Sequence, residues 1–263
     1  MNFLVCVKNV VDTSKMRIDP ITGRLDRNGA KSIINPLDLN ALEAALSLRE
    51  ELGGTVSVIS MGPPPVEEIL RDSLARGADK AYLITDRKFG GADTLATSYT
   101  LAAGIEKIGN FDFIFCGQES LDSNTAQVGP ELAGLLNIES ICSIVDLKYK
   151  GENIVEVKRK MNKNVEILEV KLPALFTVSS ELNNPGYPSI KGILNKKNFE
   201  IISLTADDLK VDSERIGIKG SPTQVRGIRP IIPVKKENIS IDTPNMEESV
   251  NLFLKAMKKI KVI

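Results

Sequence analysis

Four short apolar runs recur through the first half of the chain: FLVCV (3–7), TVSVISM (55–61), KAYLIT (80–85) and FDFIFC (111–116). Between and after them lie stretches with helical spacing, NPLDLNALEAALSLREELGG (35–54), VEEILRDSLARG (66–77), GGADTLATSYTLAAGIEKIG (90–109) and ELAGLL (131–136). This alternation constrains the fold more than any other feature. Apolar runs of strand length separated by helices of this size predict a parallel sheet with helices on both faces. In the first helix Asp38 is placed at the N-cap, Leu42, Ala45, Leu46 and Leu52 share a face, and Gly53 and Gly54 end it. Gly77 is placed at the C-cap of the second. Residues 16–27, MRIDPITGRLDR, read as a hairpin.

After Ser140 the texture changes to period-two stretches and short turns, which suit antiparallel or edge strands. KGILNKKN (191–198) reads as a short helix, and MEESVNLFLKAMKKI (246–260) as a terminal amphipathic helix. From Thr205 up to that last helix the chain is rich in Pro, Gly and charge, with no strong period. The expected organisation is therefore an α/β domain over 1–190 and an irregular C-terminal arm over 191–263 that packs on another chain. The arm is the more basic part: residues 190–263 hold 14 Lys/Arg against 9 Asp/Glu, and residues 1–189 hold 20 against 25.

Composition excludes several chemistries. Lys+Arg and Asp+Glu are both 34, so the whole-chain charge offers no attraction to nucleic acid. The chain has no His, which removes Ser-His-Asp and Cys-His catalysis from its own side chains. Its three cysteines, Cys6, Cys116 and Cys142, form no C-x-x-C pair and are too few for a four-thiolate iron–sulfur cluster. They fit a reducing compartment. The first apolar run is too short for a signal peptide, and no stretch nears the ~20 apolar residues that span a bilayer. A cytoplasmic protein without membrane insertion is expected.

Ligands of parallel α/β sheets sit beyond the carboxyl ends of the strands, where strand order reverses. That rule selects the loops after Val7 and Met61, the loop around Gly90–Thr94, and the polar loop GQESLDSNTAQV (117–128). Ser123, Asn124 and Thr125 can cap the next helix and present hydroxyl, amide and N–H groups to an anion. An ordinary polar loop explains the same residues. Neither G-x-G-x-x-G nor G-K-[ST] is present. GGAD (90–93) resembles the S-G-G-x-D-S loop of ATP pyrophosphatases, but Phe89 stands where the Ser belongs. No carboxylate pair stands out for acid–base work.

VCVKNVVDT (5–13), INPLDLNALEAAL (34–46), VISMGPPP (58–65), RDSLARGADKAYL (71–83), FGGADTLATS (89–98), CGQESLDSNTAQVGPELA (116–133), VEVKRK with VKLPALFTV (155–178) and GSPTQV (220–225) jointly resemble the beta subunit of electron transfer flavoproteins. The resemblance covers essentially the whole chain. It implies a Rossmann-like, adenine-nucleotide-binding α/β fold with an antiparallel edge and an arm on the alpha subunit. It also implies that adenosine and phosphates lie against Cys6, Asn35, Pro36, Leu37, Asp38, Met61, Gly117, Gln118, Glu119, Ser120, Leu121, Asp122, Ser123, Asn124, Thr125, Ala126, Gln127 and Val128.

FGGADTLATS together with D-x-x-T-A-Q-V-G-P resembles the electron-bifurcating members. These hold FAD in this subunit and take hydride from NADH. Gly91, Ala92, Asp93, Thr94 and Thr97 would then line the FAD. The implied partners are the alpha subunit, an acyl-CoA-type or related dehydrogenase, and ferredoxin or flavodoxin. Conventional members instead hold structural AMP and shuttle electrons without NADH. Two departures bear on the choice. QESLDSNT (118–125) has Ser123 and Asn124 where bifurcating loops carry Gly and Asp, and MNKNVE (161–166) lacks the usual acidic/Gly turn. In the family an exposed loop docks an apolar residue on the dehydrogenase, and Ile190 stands at that position. A stand-alone adenine-nucleotide-binding or ATP-cleaving protein, and an assembly subunit with an empty site, remain alternatives.

Overall fold

The computed structural model describes residues 1–12, 32–162, 164–224, 240–241, 243 and 245–259, with backbone pairing also at 17–18 and 25–26. Most of the expected 16–27 hairpin, Lys163 and the residues that follow GSPTQ (220–224) up to 239 lie outside the described residues.

The elements in chain order are β1 (Asn2–Cys6), β2 (Asn9–Val11), β3 (Arg17–Ile18), β4 (Leu25–Asp26), β5 (Ser32–Ile34), α1 (Pro36–Leu52), β6 (Thr55–Met61), α2 (Glu67–Arg76), β7 (Lys80–Ile84), α3 (Thr94–Ile108) and β8 (Phe113–Gly117). There follow α4 (Val128–Leu136), β9 (Glu139–Gly151), β10 (Ile154–Met161), β11 (Asn164–Lys171), β12 (Ala174–Val178), α5 (Ile190–Asn195), β13 (Ile202–Leu204), α6 (Ala206–Leu209) and α7 (Met246–Lys259).

Nine strands form one sheet in the order β11-β10-β9-β12-β8-β1-β6-β7-β13. From β9 through β13 neighbouring strands are parallel, whereas β9, β10 and β11 form an antiparallel meander at the edge. Numbered by their appearance in the chain, the parallel strands β1, β6, β7, β8 and β12 lie in the doubly wound order 3-2-1-4-5. The chain moves outward from β1 to β6 and β7, then returns to the other side of β1 as β8. The switch point therefore lies between β1 and β8, where Cys6 stands opposite Cys116.

Both faces of the sheet are packed. On one side Phe3, Phe113, Phe115 and Phe176 stack with ring centroids 5.1–6.0 Å apart and meet Leu42, Ala45 and Leu46 of α1 and Leu70 and Leu74 of α2. Each buried ring contributes about 2–3 kcal/mol of apolar transfer. On the other side Leu4, Ile59, Ile84 and Ile114 pack against Leu101 and Ile105 of α3 and Leu132 of α4. Burial on both faces explains why these strands carry unbroken apolar runs instead of alternation.

Three local expectations are corrected. Asn35, not Asp38, holds the N-cap position of α1; Pro36 begins the helix and Asp38 lies buried in its first turn. Helix α3 begins at Thr94, because Asp93 caps it by accepting the Ala96 N–H; the Gly pair belongs to the preceding loop. Helix α4 has Gln127 at its N-cap position with no side-chain cap, so Ser123, Asn124 and Thr125 do not perform that task.

Two compact units divide the chain, Met1–Gln224 and Val225–Ile263. The first takes in residues 191–224, which the sequence reading gives to the arm: β13 pairs with β7 and extends the sheet. In the second unit, α7 carries acidic residues in its first turn and lysines in its last, the arrangement favoured by the helix dipole. Among the described residues no helix is long and apolar enough to cross a membrane.

Candidate functional site

The carboxyl ends of β1 and β8 are tied together by one buried side chain. Asp38 Oδ2 accepts the backbone N–H of Lys8 at 2.7 Å, and Oδ1 accepts the N–H of Gly117 at 3.0 Å. The Asn35 amide donates to Asp38 Oδ1 at 3.0 Å and to the Glu119 carbonyl at 2.9 Å, while its oxygen accepts the Leu121 N–H at 3.1 Å. Burial pushes the Asp38 carboxyl up to about 7, although the bonds from Asn35, Lys8 and Gly117 and the Lys8 charge all pull it down. The close approach explains Gly117, since a Cβ there would collide with the Asp38 carboxylate and backbone.

Above this buried knot lies the polar loop. Gln118 N–H donates to the Val178 carbonyl at 3.0 Å, which anchors the loop to β12. Residues 121–127 are exposed, and Asn124 and Ala126 have positive φ. The Lys8 ammonium, absent from the sequence-derived site, donates to Asp122 Oδ1 at 2.6 Å, Ser120 Oγ at 3.1 Å and Ser123 Oγ at 3.2 Å. The signal for Lys8 was its place directly after an apolar strand, but only the folded loop reveals the partners.

A second cluster gathers where α3 and α4 begin. Asp93 Oδ1 caps α3, while Oδ2 accepts the Thr223 N–H and hydroxyl at 2.9 and 2.8 Å. The Asp93 N–H donates to Ser221 Oγ at 2.8 Å. Burial pushes this carboxyl up, but these bonds outweigh it and hold the group below its ordinary value. Gly91 has φ of 73°, and a Cβ there would meet Ile218 at 2.5 Å; the 217–223 segment thus lies over the Gly pair. Thr94 donates toward Gln127 Oε1 at 3.4 Å and Glu131 Oε1 at 3.2 Å, and Ser98 donates to Glu131 Oε2 at 3.2 Å. Thr94 and Gln127 thereby join the two loops.

The residues named from sequence therefore fall along one edge. Cys6 and Met61 end β1 and β6; Asn35–Asp38 open α1; Gly117–Val128 join β8 to α4; Gly91–Thr97 lead into α3. They do not play one part. Asn35, Cys6 and Asp38 are buried, whereas residues 121–127 are exposed. Ser221 and Thr223 join the cluster through GSPTQV, a stretch without strand or helix period. Ile190 lies apart, at the start of α5 and 80% exposed, with Tyr187, Ile193 and Leu194 also exposed nearby in sequence.

The model of the electron transfer flavoprotein domain matches residues 22–209. The chain is 47% identical over 260 residues to electron transfer flavoprotein subunit beta of Thermoanaerobacterium thermosaccharolyticum, covering 98% of this chain and 94% of that one. It is 48% identical over 226 residues to the subunit of the same name from Clostridium acetobutylicum, covering 86% of each. With the caffeyl-CoA reductase-Etf complex subunit CarD of Acetobacterium woodii it shares 42% identity over the whole of both chains.

Proposed function

The chain belongs to the electron transfer flavoprotein beta-subunit family, and from that premise we propose that it holds FAD at the switch-point edge of its sheet, in an NADH-oxidising, electron-bifurcating complex. One observation carries the proposal: the loops ending β1, β6 and β8 and the loop opening α3 share one edge of a doubly wound sheet, beside a helix N-terminus without a side-chain cap.

The donor set fits a nucleotide. The Val128 and Gly129 N–H groups have no acceptor within α4, Pro130 has no N–H, and Gln127 supplies no acceptor from its side chain. Such groups, with the dipole behind them, suit phosphate. Thr94 and Thr97 add hydroxyls, and the Gly91–Thr94 loop extends the edge from β8 past β1 and β6 to β7. Three strand spacings are about 14 Å, more than adenine with a single phosphate needs. Bound FAD supplies an acceptor for hydride from NADH and a donor of single electrons onward. The chain itself binds and orients: Asp38 and Asn35 fix the loop ends, Asp93 fixes the start of α3, and the 118–127 loop closes over the edge.

The proposed recipients are FAD in the alpha subunit, leading to an acyl-CoA-type dehydrogenase, and ferredoxin or flavodoxin. The name of the Acetobacterium relative, a subunit of a CoA-thioester reductase complex, supports the first route. Ile190 and its exposed apolar neighbours suit docking on such a dehydrogenase. A second reading, a conventional shuttle with AMP in this subunit, draws support from Ser123 and Asn124 in the polar loop. The test is flavin and nucleotide content of the purified complex with its alpha subunit, followed by NADH titration. Two FAD per complex and bleaching by NADH support bifurcation chemistry. One FAD with AMP, and no response to NADH, assigns the shuttle.

A further inference from the structure

We propose that Lys8 and Asp122 form a clamp that shapes the 118–127 loop before any ligand arrives, making Lys8 a positioning residue of the nucleotide site. This rests on the nucleotide-site reading above, but every group of the clamp belongs to this chain. The Lys8 ammonium donates to three oxygens of one turn: Asp122 at 2.6 Å, Ser120 at 3.1 Å and Ser123 at 3.2 Å. An ammonium has three hydrogens, so its capacity is filled. The turn closes on itself, because the Ser120 carbonyl accepts the N–H groups of Ser123 and Asn124, and the Ser120 and Ser123 hydroxyls bond at 2.8 Å.

The loop has few other supports. Residues 121–127 are exposed, so no apolar burial fixes them. Asn124 and Ala126 occupy left-handed backbone at φ of 50° and 54°, a conformation that costs Ala of order 1 kcal/mol or more. Polar ties must therefore determine the shape, and apart from Lys8 those to other parts of the fold reach Gln118, Glu119 and Leu121 at its near end and, from Thr94 at 3.4 Å, Gln127 at its far end. Lys8 is itself fixed at its backbone: its N–H goes to Asp38 and its carbonyl accepts the Asn35 N–H. The side chain thus carries the rigidity of the β1–α1 junction outward to the exposed tip. Burial pushes the Asp122 carboxyl up, but Lys8 and the two serines outweigh this and hold it below its ordinary value.

A clamp and a direct phosphate contact make different predictions. Hydrogen exchange of residues 118–128 is measured in the nucleotide-free complex, and FAD affinity is measured separately. In Lys8→Met and Asp122→Asn the loop should exchange about two- to fivefold faster, and FAD should bind about two- to fivefold more weakly. Lys8→Arg should restore both. The charge swap Lys8→Asp with Asp122→Lys should recover at least part of each loss. Unchanged exchange in Lys8→Met with weakened FAD binding would overturn the clamp in favour of direct contact. Unchanged exchange and affinity together would overturn any role for Lys8. Faster exchange, restored by the swap, sustains the clamp even if the complex proves to bind AMP.

Discussion

The Asp38 carboxylate accepts the backbone N–H of Gly117 at 3.0 Å, joining positions 79 residues apart in the chain. The bond fixes the start of α1 against the end of β8 at the point where strand order reverses. Gly117→Ala would set a methyl group against Asp38 and its backbone. Overpacking of this kind costs about 1–3 kcal/mol. Denaturant unfolding of the variant should show that loss, with nucleotide content of the purified complex falling alongside it.

Asp38 should also leave a signature in pH. Burial raises its folded value to about 7, above the ordinary 3.8. Between those values the folded chain binds more protons at this group than the unfolded chain, so its contribution to stability falls as pH rises from about 4 to about 7. Above 7 the contribution levels off. The stability difference between wild type and Asp38→Asn should therefore shrink across that window, as read by urea unfolding at successive pH values. A difference that grows with pH would show that the carboxylate gains more from its donors than burial costs.

Asp93 joins two segments, capping α3 while holding Thr223. Loss of such a cap costs about 0.5–2 kcal/mol. Asp93→Ala should lower stability by that amount and raise hydrogen exchange in both the first turn of α3 and residues 217–224. Because the folded value of this carboxyl is below its ordinary one, its contribution is present above pH 4 and is lost as pH falls further.

Ile190 is 80% exposed and should matter only to a partner. Ile190→Asp is expected to change stability by less than about 0.5 kcal/mol. Flavin content should be unaltered, while electron transfer to the dehydrogenase partner should fall at least tenfold. Equal transfer rates in the two proteins would remove this residue from the docking surface.

The parallel strands β1, β6, β7 and β8 were legible because each is buried on both faces, which leaves an apolar run that survives in one dimension; β12, read from sequence with the antiparallel edge, lies instead inside the sheet, parallel to β8 and β9. The limits of β6 and the C-caps at Gly53 and Gly77 were legible for local reasons of the same kind. The start of α1 was misread because Asp is a common cap; its side chain turns inward only when β8 brings the Gly117 N–H to it. β13 went unread, since three residues carry no detectable period, yet they complete a sheet edge.

By itself, then, the sequence determined the parallel strands β1, β6, β7 and β8 and the helices between them, the absence of imidazole chemistry, and the polar loop at the end of FDFIFC. The tertiary structure alone decided that β8 lies beside β1, that Asp38 closes the junction, and that Lys8 holds the loop through Asp122. The physical reason is range. Periodicity records how much of a segment is buried, which its own residues dictate. Strand order and side-chain partners depend on packing between segments far apart in the chain, and no local pattern encodes them.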